Sequence, residues 1–469
     1  MAWYRRPVER RTRGFAQRLG VVALVGLCVR LAYVLIFRSE VLPLGGDSVI
    51  YSLGANLLAQ GHGFVSPLGV FKPVLEQSAD HPPLYLVWLA IPAFLDPAAG
   101  YTSQLTFLLW SCLLGTGTVV LCGLAGRRLA GPRCGLIAAA IAAVYPNVWV
   151  WDGALLSETM SLFTVALVIL LCYRFLQRPN GVNAVALGLA CGLAALSRAE
   201  LVLVLPLLLV PATLLARAGD RASRLRWLAL GGVAAIVVMA PWVIFNLNRF
   251  EKPVYISTGF GGTLAAGNCD ASYHGSGIGS KSYVCGRAAF AKVESRAAAR
   301  LVTLDSSQID SEVRADTMKY VRANASRVPL VVAARWGRVT GVFKPRREMW
   351  LDALFYRKER GVIEAGFYSY YVVAGLAVFG AITLRRRGVP LFPLLAIPAI
   401  VLISVAITFA QIRYRAPAEV SLVLLAAVAV DELVRRRRSR SRVTRPAARP
   451  ADLSTAGAGT TIASSGPTR

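Results

Sequence analysis

Histidine is nearly absent from this chain: three in 469 residues, His62, His81 and His274. That scarcity argues against a multi-histidine metal centre. Charge is also sparse, at 16% Asp, Glu, Lys and Arg, against about 25% in ordinary soluble domains. Acidic residues number 25 against 52 basic ones. No phosphate-binding Gly-rich loop, no dinucleotide-binding turn, no HExxH and no Ser-His-Asp set occurs. Zinc-finger spacing, a heptad array and an RNA-recognition signature are missing too. Nucleotide-driven, redox and nucleic-acid functions therefore have no motif to stand on.

Apolar residues are what the chain has in excess: 55%, with a mean hydropathy of +0.54. A water-soluble multidomain protein is excluded, as is disorder over most of the length. Apolar runs long enough to span ~30 Å of hydrocarbon occur near 20–37, 104–126, 134–149, 157–176, 183–197, 199–216, 226–246, 366–384, 390–410 and 416–434. The fold class is all-α and polytopic, with about 10–11 transmembrane helices. The run 84–95 (LYLVWLAIPAFL) is too short to span and reads as an interfacial helix in the first exterior loop.

The net charge of +27 resembles that of a nucleic-acid binder until its placement is read. Arg5, Arg6, Arg10, Arg11, Arg13 and Arg18 precede the first span. Arg127, Arg128 and Arg133, then Arg174 and Arg178, then Arg217–Arg226, then Arg385–Arg387, then the tail arginines fill alternate gaps. With 84–95 left out of the spans, all of these face the cytoplasm, as the positive-inside rule expects. Counting 84–95 as a span moves the arginine-rich gaps up to 226 to the other side. The expected partition is a basic cytoplasmic N-terminus 1–19, a membrane module 20–246 that includes the exterior loop 38–103, an exterior region 247–365, C-terminal membrane helices 366–434, and a disordered basic tail 435–469. The first apolar run contains Arg30 and lacks a nearby small-residue cleavage site, so it reads as an uncleaved span of a plasma (inner) membrane protein. Within 247–365, helices are expected near 286–301 and 309–324, and 329–343 reads as an amphipathic segment on the bilayer surface.

Six of the eight cysteines lie in or beside spans and act as small apolar residues. Cys269 and Cys285 alone sit in the exterior region, which suggests a disulfide closing a small loop. A metal there would want two more ligands.

Isolated charges on the otherwise depleted exterior face are better functional candidates than charge runs. Asp47 follows two glycines in GGDSVIYSLGANLLAQGHGF and reads as a helix N-cap, a general base, or both. His81 lies in Asp80-His81-Pro82-Pro83-Leu84-Tyr85, where tandem prolines stiffen the chain at the headgroup level; Tyr85 is a further candidate. Asp152 and Glu158 occupy the next exterior turn, and Glu158 stands at the mouth of a span. Arg198, Arg413 and Arg415 either pair with acids or hold a phosphate, whose oxygens the guanidinium fork matches.

Taken in order, GGDSVIYSLGANLLAQGHGF, HPPLY, LLSETM, AALSRAE, APWVIFNLNRFEKPVYISTGFGGTLAAGN and RYRAP resemble bacterial GT-C glycosyltransferases of the family 39 type. These are related to protein O-mannosyltransferases and lipid A aminoarabinose transferases. The resemblance covers most of 20–434. It implies an integral-membrane transferase that moves a hexose or pentose from a polyprenyl-phosphate donor to an extracytoplasmic acceptor hydroxyl, with inversion. The acceptor is then a protein, a polysaccharide or a lipid. Asp47 matches the acid thought to act as base, and His81 matches a position that is often cationic and near the donor phosphate. Relatives commonly carry a second acid beside the first; Ser48 stands there instead, so Asp152 becomes the candidate second acid. A divalent cation shared by Asp47 and Asp152 is a further expectation, without a recognisable ligand set. Partners are then the lipid-linked sugar, its acceptor and membrane lipids, and no nucleic acid. The competing reading is a polytopic transporter or a lipid-linked-sugar flippase without transferase activity. Transporters place charges at mid-membrane depth in broken helices, whereas this chain collects them at one face.

Overall fold

The structure is a computed structural model that describes residues 12–39, 46–67, 76–96 and 104–443. It is 81% helical, with no β-strand among the described residues. The arginines before residue 12, those at 445 and 449, and most of the tail expected to be disordered lie outside the described residues.

Among the described residues, five helices are long and apolar enough to cross a bilayer: Arg13–Arg38, Leu105–Ala130, Glu158–Gln177, Arg221–Leu247 and Arg360–Arg386. A sixth apolar stretch, Pro132–Val144 with Pro146–Gly153, is bent by 67°. The break falls at Tyr145, which is extended (ψ 117) because Pro146 follows it. The run expected at 183–197 is the 17-residue helix Gly181–Ser197. The run at 390–410 is the helix Phe392–Ile407, which carries Pro398 inside it. The stretch 199–216 departs most from expectation. It is a 3-10 turn over Ala199–Leu203, a π turn over Leu205–Leu209 and one short helix, Val210–Leu214. Pro206 and Pro211 remove the amide donors that a continuous α-helix there needs.

Small residues let these helices approach closely, since lipid offers no hydrophobic drive between them. Gly188 lies against the backbone of Gly231, and Gly380 against the backbone of Leu425, where any Cβ would collide. Gly126 meets Cys134 and Gly135 in the same way, locking Leu105–Ala130 onto Pro132–Val144. The main core runs from Phe15 through Val119, Ile169 and Leu187 to Leu424.

A second apolar cluster fixes the segment expected to form the first exterior loop. Tyr51, Ala55, Tyr85 and Leu89 pack with Phe107, Leu108 and Cys112. The helices Asp47–Ala59 and Pro83–Leu95 thus rest on each other and on the start of Leu105–Ala130. Pro83–Leu95 leaves Val87, Ile91, Phe94 and Leu95 exposed, a face suited to an interfacial helix.

In the region expected at 247–365, helices Tyr283–Ala299 and Ser306–Ala323 form near the expected positions. The second begins with a capping box between Asp305 and Gln308. Helix Val328–Val339 lies within the stretch 329–343 and exposes Leu330 and Trp336, while its arginines Arg335 and Arg338 point into protein. Arg335 donates to the carbonyls of Ala406 (2.6 Å) and Gly267 (2.5 Å). Arg338 donates to those of Ile278 and Ser276 and pairs with Glu348.

The chain divides into two compact units, Met1–Asp431 and Glu432–Arg469. The last helix, Ala416–Val443, runs nine residues into the stretch expected to be disordered from 435. Glu432 there pairs with Arg435 and Arg436 at 2.6 and 2.8 Å, spacings of one helical turn that support the helix.

Candidate active site

Five of the sequence candidates converge. Gly46, at φ 71, turns the chain into the helix that Asp47 begins. No side chain caps that helix end, so Asp47 is not the N-cap that one reading expected. Its carboxylate turns aside to two partners. Arg413 Nη2 lies 2.6 Å from Oδ2, and His81 Nε2 lies 3.7 Å from Oδ1. Burial alone would raise the Asp47 carboxyl. The Arg413 guanidinium outweighs it, with help from His81 and Lys281, and holds the group well below the usual carboxylate range. Asp47 and His81 are each 25% exposed in their side chains, so the pair is open to a ligand.

His81 is placed by Pro82 and Pro83, the second of which opens the Pro83–Leu95 helix. Its ring meets Tyr51 edge-on at 4.9 Å, and Tyr51 meets Tyr85 at 5.0 Å. Tyr85 itself is fully buried, with its hydroxyl 2.9 Å from Ser111 Oγ. It supports the site and does not face it.

Arg413 sits in a single 3-10 turn, Ile412–Arg415, between two apolar helices. Its Nε lies 3.7 Å from Glu158 Oε1, and its guanidinium stacks over Tyr356 and Tyr414. Glu158 also takes Arg198 at 2.6 Å, and Arg198 reaches Glu200 at 2.5 Å. A chain of alternating charge thus runs Asp47, Arg413, Glu158, Arg198, Glu200. Glu158 begins its helix but is 1% exposed and committed to two arginines. A buried carboxylate on this footing holds cations in place.

Two candidates do not join the site. Asp152 is 1% exposed and bonded to Arg30 at 2.7 Å, pressed against Gly115. Arg30 in turn donates to the carbonyls of Gly26 and Ala142. Among the described residues Asp152 and Asp47 share no ion-pair partner. The expectation of a second acid and of a shared divalent ion is corrected accordingly: Arg30, mid-span, had already claimed that carboxylate. Arg415 is bonded to Glu419 at 2.6 Å and lies 3.5 Å over Tyr370, while Tyr145 donates to Glu419. It braces helices through Glu419 and, among the described residues, makes no ion pair or hydrogen bond with the Asp47–Arg413 pair. Among the described residues, no group of three or more His, Cys, Asp or Glu is placed to hold a metal.

Cys269 and Cys285 are joined in a disulfide. The loop it closes carries Lys281, which sequence reading missed, over the rings of Tyr283 and Phe409 and within electrostatic reach of Asp47 and Arg413. Nothing in the local sequence singles out this lysine, since its neighbours Ser280 and Ser282 are unremarkable polar residues.

Residues 80–245 match the family model described as dolichyl-phosphate-mannose-protein mannosyltransferase. No curated protein sequence matches the chain. Its fold is similar to that of the archaeal oligosaccharyltransferase AglB from Archaeoglobus fulgidus, solved with an inhibitory peptide and a dolichol-phosphate. The identity is 15%, the TM-score 0.54, and the match covers 93% of this chain and 52% of that one. The same organism's enzyme tethered to an acceptor peptide with an NVT sequon aligns at 15% identity and TM-score 0.54, over 95% of this chain and 52% of that one. The chain therefore spans about half the length of these structures. ArnT from Cupriavidus metallidurans, bound to undecaprenyl phosphate, is a looser likeness, at 17% identity and TM-score 0.43 over 90% of this chain and 79% of that one. In residues 80–245 the chain is similar to that mannosyltransferase family, and its fold is similar to that of the archaeal membrane oligosaccharyltransferase.

Proposed function

We propose that this protein transfers a sugar from a polyprenyl-phosphate donor to an acceptor hydroxyl on the extracytoplasmic side of the plasma membrane, with Asp47 as general base. The observation that carries the reading is the Asp47–Arg413 contact at 2.6 Å, a carboxylate and a guanidinium sharing one partly open edge. The family match and the dolichol-phosphate in the archaeal oligosaccharyltransferase structure support a lipid-linked donor.

The reaction is an inverting displacement. The acceptor oxygen forms a bond to the anomeric carbon while the bond from that carbon to the phosphate oxygen breaks. The hydroxyl proton passes to Asp47, and the electron pair leaves on the polyprenyl phosphate. In the resting protein Arg413 holds Asp47 as a weak base. The arriving donor phosphate competes for Arg413, because the guanidinium fork suits phosphate as well as carboxylate. As Arg413 turns to the phosphate, Asp47 loses its strongest stabilising partner and gains basicity where the proton must go. His81 Nδ1 is buried without a hydrogen-bond partner among the described residues, which leaves an imidazole edge for the ligand. Glu158 and Arg198 keep Arg413 within reach of both anions.

The test is release of free polyprenyl phosphate from polyprenyl-phosphate sugars by purified protein with cell-envelope acceptors. The reading expects release that depends on acceptor and is lost in Asp47→Asn. Sugar-independent movement of lipid across vesicles, with no release, favours a flippase and overturns it.

A further inference from the structure

We propose that Lys281 is a donor-phosphate-binding residue, a cation without an ion-paired acid among the described residues that the Cys269–Cys285 loop holds over Phe409, in the segment that leads to Arg413. This rests on the reading of that pair as the transfer site.

The first argument is electrostatic housekeeping. The buried cations around this site have their own acids: Arg198 has Glu158 and Glu200, Arg415 has Glu419, and Lys358 has Asp352. Lys281 has none among the described residues. Its ammonium lies 4.3 Å from the ring centre of Tyr283 and 5.2 Å from that of Phe409. Ring faces attract a cation by about 0.5–2 kcal/mol, less than a buried carboxylate supplies. A half-buried lysine left this way awaits an anion.

The second argument is how firmly the lysine is held. Ala410 N donates to Gly279 O at 3.0 Å, and Ser280 pairs with Ala410 in an isolated parallel bridge. Ser282 N donates to Ala266 O at 2.8 Å, and Ser282 Oγ caps the next helix by accepting from Cys285 N. Cys285 is then tied to Cys269. Lys281 is thus fastened on one side to Ala410, in the segment that leads to Arg413, and on the other to Ala266 and the disulfide-bonded Cys285. A side chain that only needed solvent would not need this frame.

The third argument is the charge of the product. The donor is a phosphodiester with one negative charge, while the departing polyprenyl phosphate carries close to two. Arg413 is already shared by Asp47 and Glu158. A second cation within electrostatic reach of Arg413, without an ion-paired acid among the described residues, meets the charge that develops as the bond breaks. The charged and titratable groups that act on Lys281 are Arg413, Asp47 and the hydroxyl-bearing ring of Tyr283. Burial and then Arg413 lower its pKa to about 8, with Asp47 opposing.

The experiment measures binding of undecaprenyl phosphate and of undecaprenol to the purified full chain, as wild type, Lys281→Met and Lys281→Arg. Methionine keeps the apolar stem over both rings, so folding is preserved, and melting curves check it. Expected is a roughly ten- to hundredfold loss of undecaprenyl phosphate affinity in Lys281→Met, little change for undecaprenol, and recovery in Lys281→Arg. Wild-type affinity for the phosphate should also fall as pH rises past about 8, and Lys281→Arg should flatten that fall. Equal phosphate affinity in wild type and Lys281→Met overturns the role of Lys281 and leaves the transfer site standing. Failure of the wild type to prefer undecaprenyl phosphate to undecaprenol overturns the transfer site as well.

Discussion

Arg413 reaches Asp47 across 366 residues of chain, Nη2 to Oδ2 at 2.6 Å. The contact ties the turn before the last helix to the start of the helix Asp47–Ala59, and it sets the resting charge of the site. Both partners are individually expensive to bury and together nearly neutral. An ion pair with one open edge is a switchable arrangement: whichever anion arrives competes for the guanidinium.

Arg413→Ala should therefore do two kinds of damage. It leaves Asp47 and Glu158 without their shared cation, at about 3–5 kcal/mol of stability. It also removes the phosphate partner proposed for the donor. Arg413→Lys keeps the charge but not the fork, so it should recover most of the thermal stability and little of the turnover. Melting curves beside initial rates separate the two effects. Equal recovery of both contradicts the role assigned to the fork.

Asp152 and Arg30 make the opposite prediction. Asp152→Asn leaves Arg30 buried without a counter-charge and should cost about 3–5 kcal/mol, seen as lost expression or a lowered Tm. Replacing both by leucine should restore much of the folding, because a well-packed apolar pair avoids the desolvation penalty. Surviving Asp152→Asn protein should keep its turnover per folded molecule. A selective fall in turnover with stability intact would return Asp152 to the chemistry.

The pH profile carries information on both limbs. Asp47 is held well below the usual carboxylate range in the resting protein. Its folded pKa is depressed, so the stability it contributes is present above its unfolded value near 4 and is lost only as pH falls through the lower folded value. Donor binding between pH 5 and 7 should accordingly show no limb from Asp47. A limb near pH 8 should come from Lys281, which loses its charge there. Equilibrium binding across pH 5–9 reads both limbs.

The disulfide gives a separate handle. It closes a loop with a sequence separation of 16, for which chain entropy suggests about 3 kcal/mol. Cys269→Ser with Cys285→Ser should loosen the Lys281 frame. Protease sensitivity should rise between 269 and 300 while the membrane helices stay protected, and undecaprenyl phosphate affinity should drop toward that of Lys281→Met. Limited proteolysis followed by mass spectrometry locates the cuts.

Much of this was legible in the sequence. Hydropathy marks Leu105–Ala130 and Arg221–Leu247 directly, and the arginine gaps order the helices. Asp47, His81 and Arg413 stand out because a lone charge on a depleted face has few structural reasons to be there. What stayed hidden depends on pairing in space. Arg30 looks idle along the chain, yet it determines the fate of Asp152 from 122 residues away. Pro206 and Pro211 break a run whose composition alone reads as a span. Lys281 becomes visible only when a disulfide and a two-residue bridge bring its loop to Phe409.

The most direct test is single-turnover release of polyprenyl phosphate by wild type and Asp47→Asn at matched protein and melting temperature. Loss of the general base should slow release by roughly 10²–10⁴-fold while undecaprenyl phosphate still binds. Unchanged release in Asp47→Asn contradicts the account at its centre.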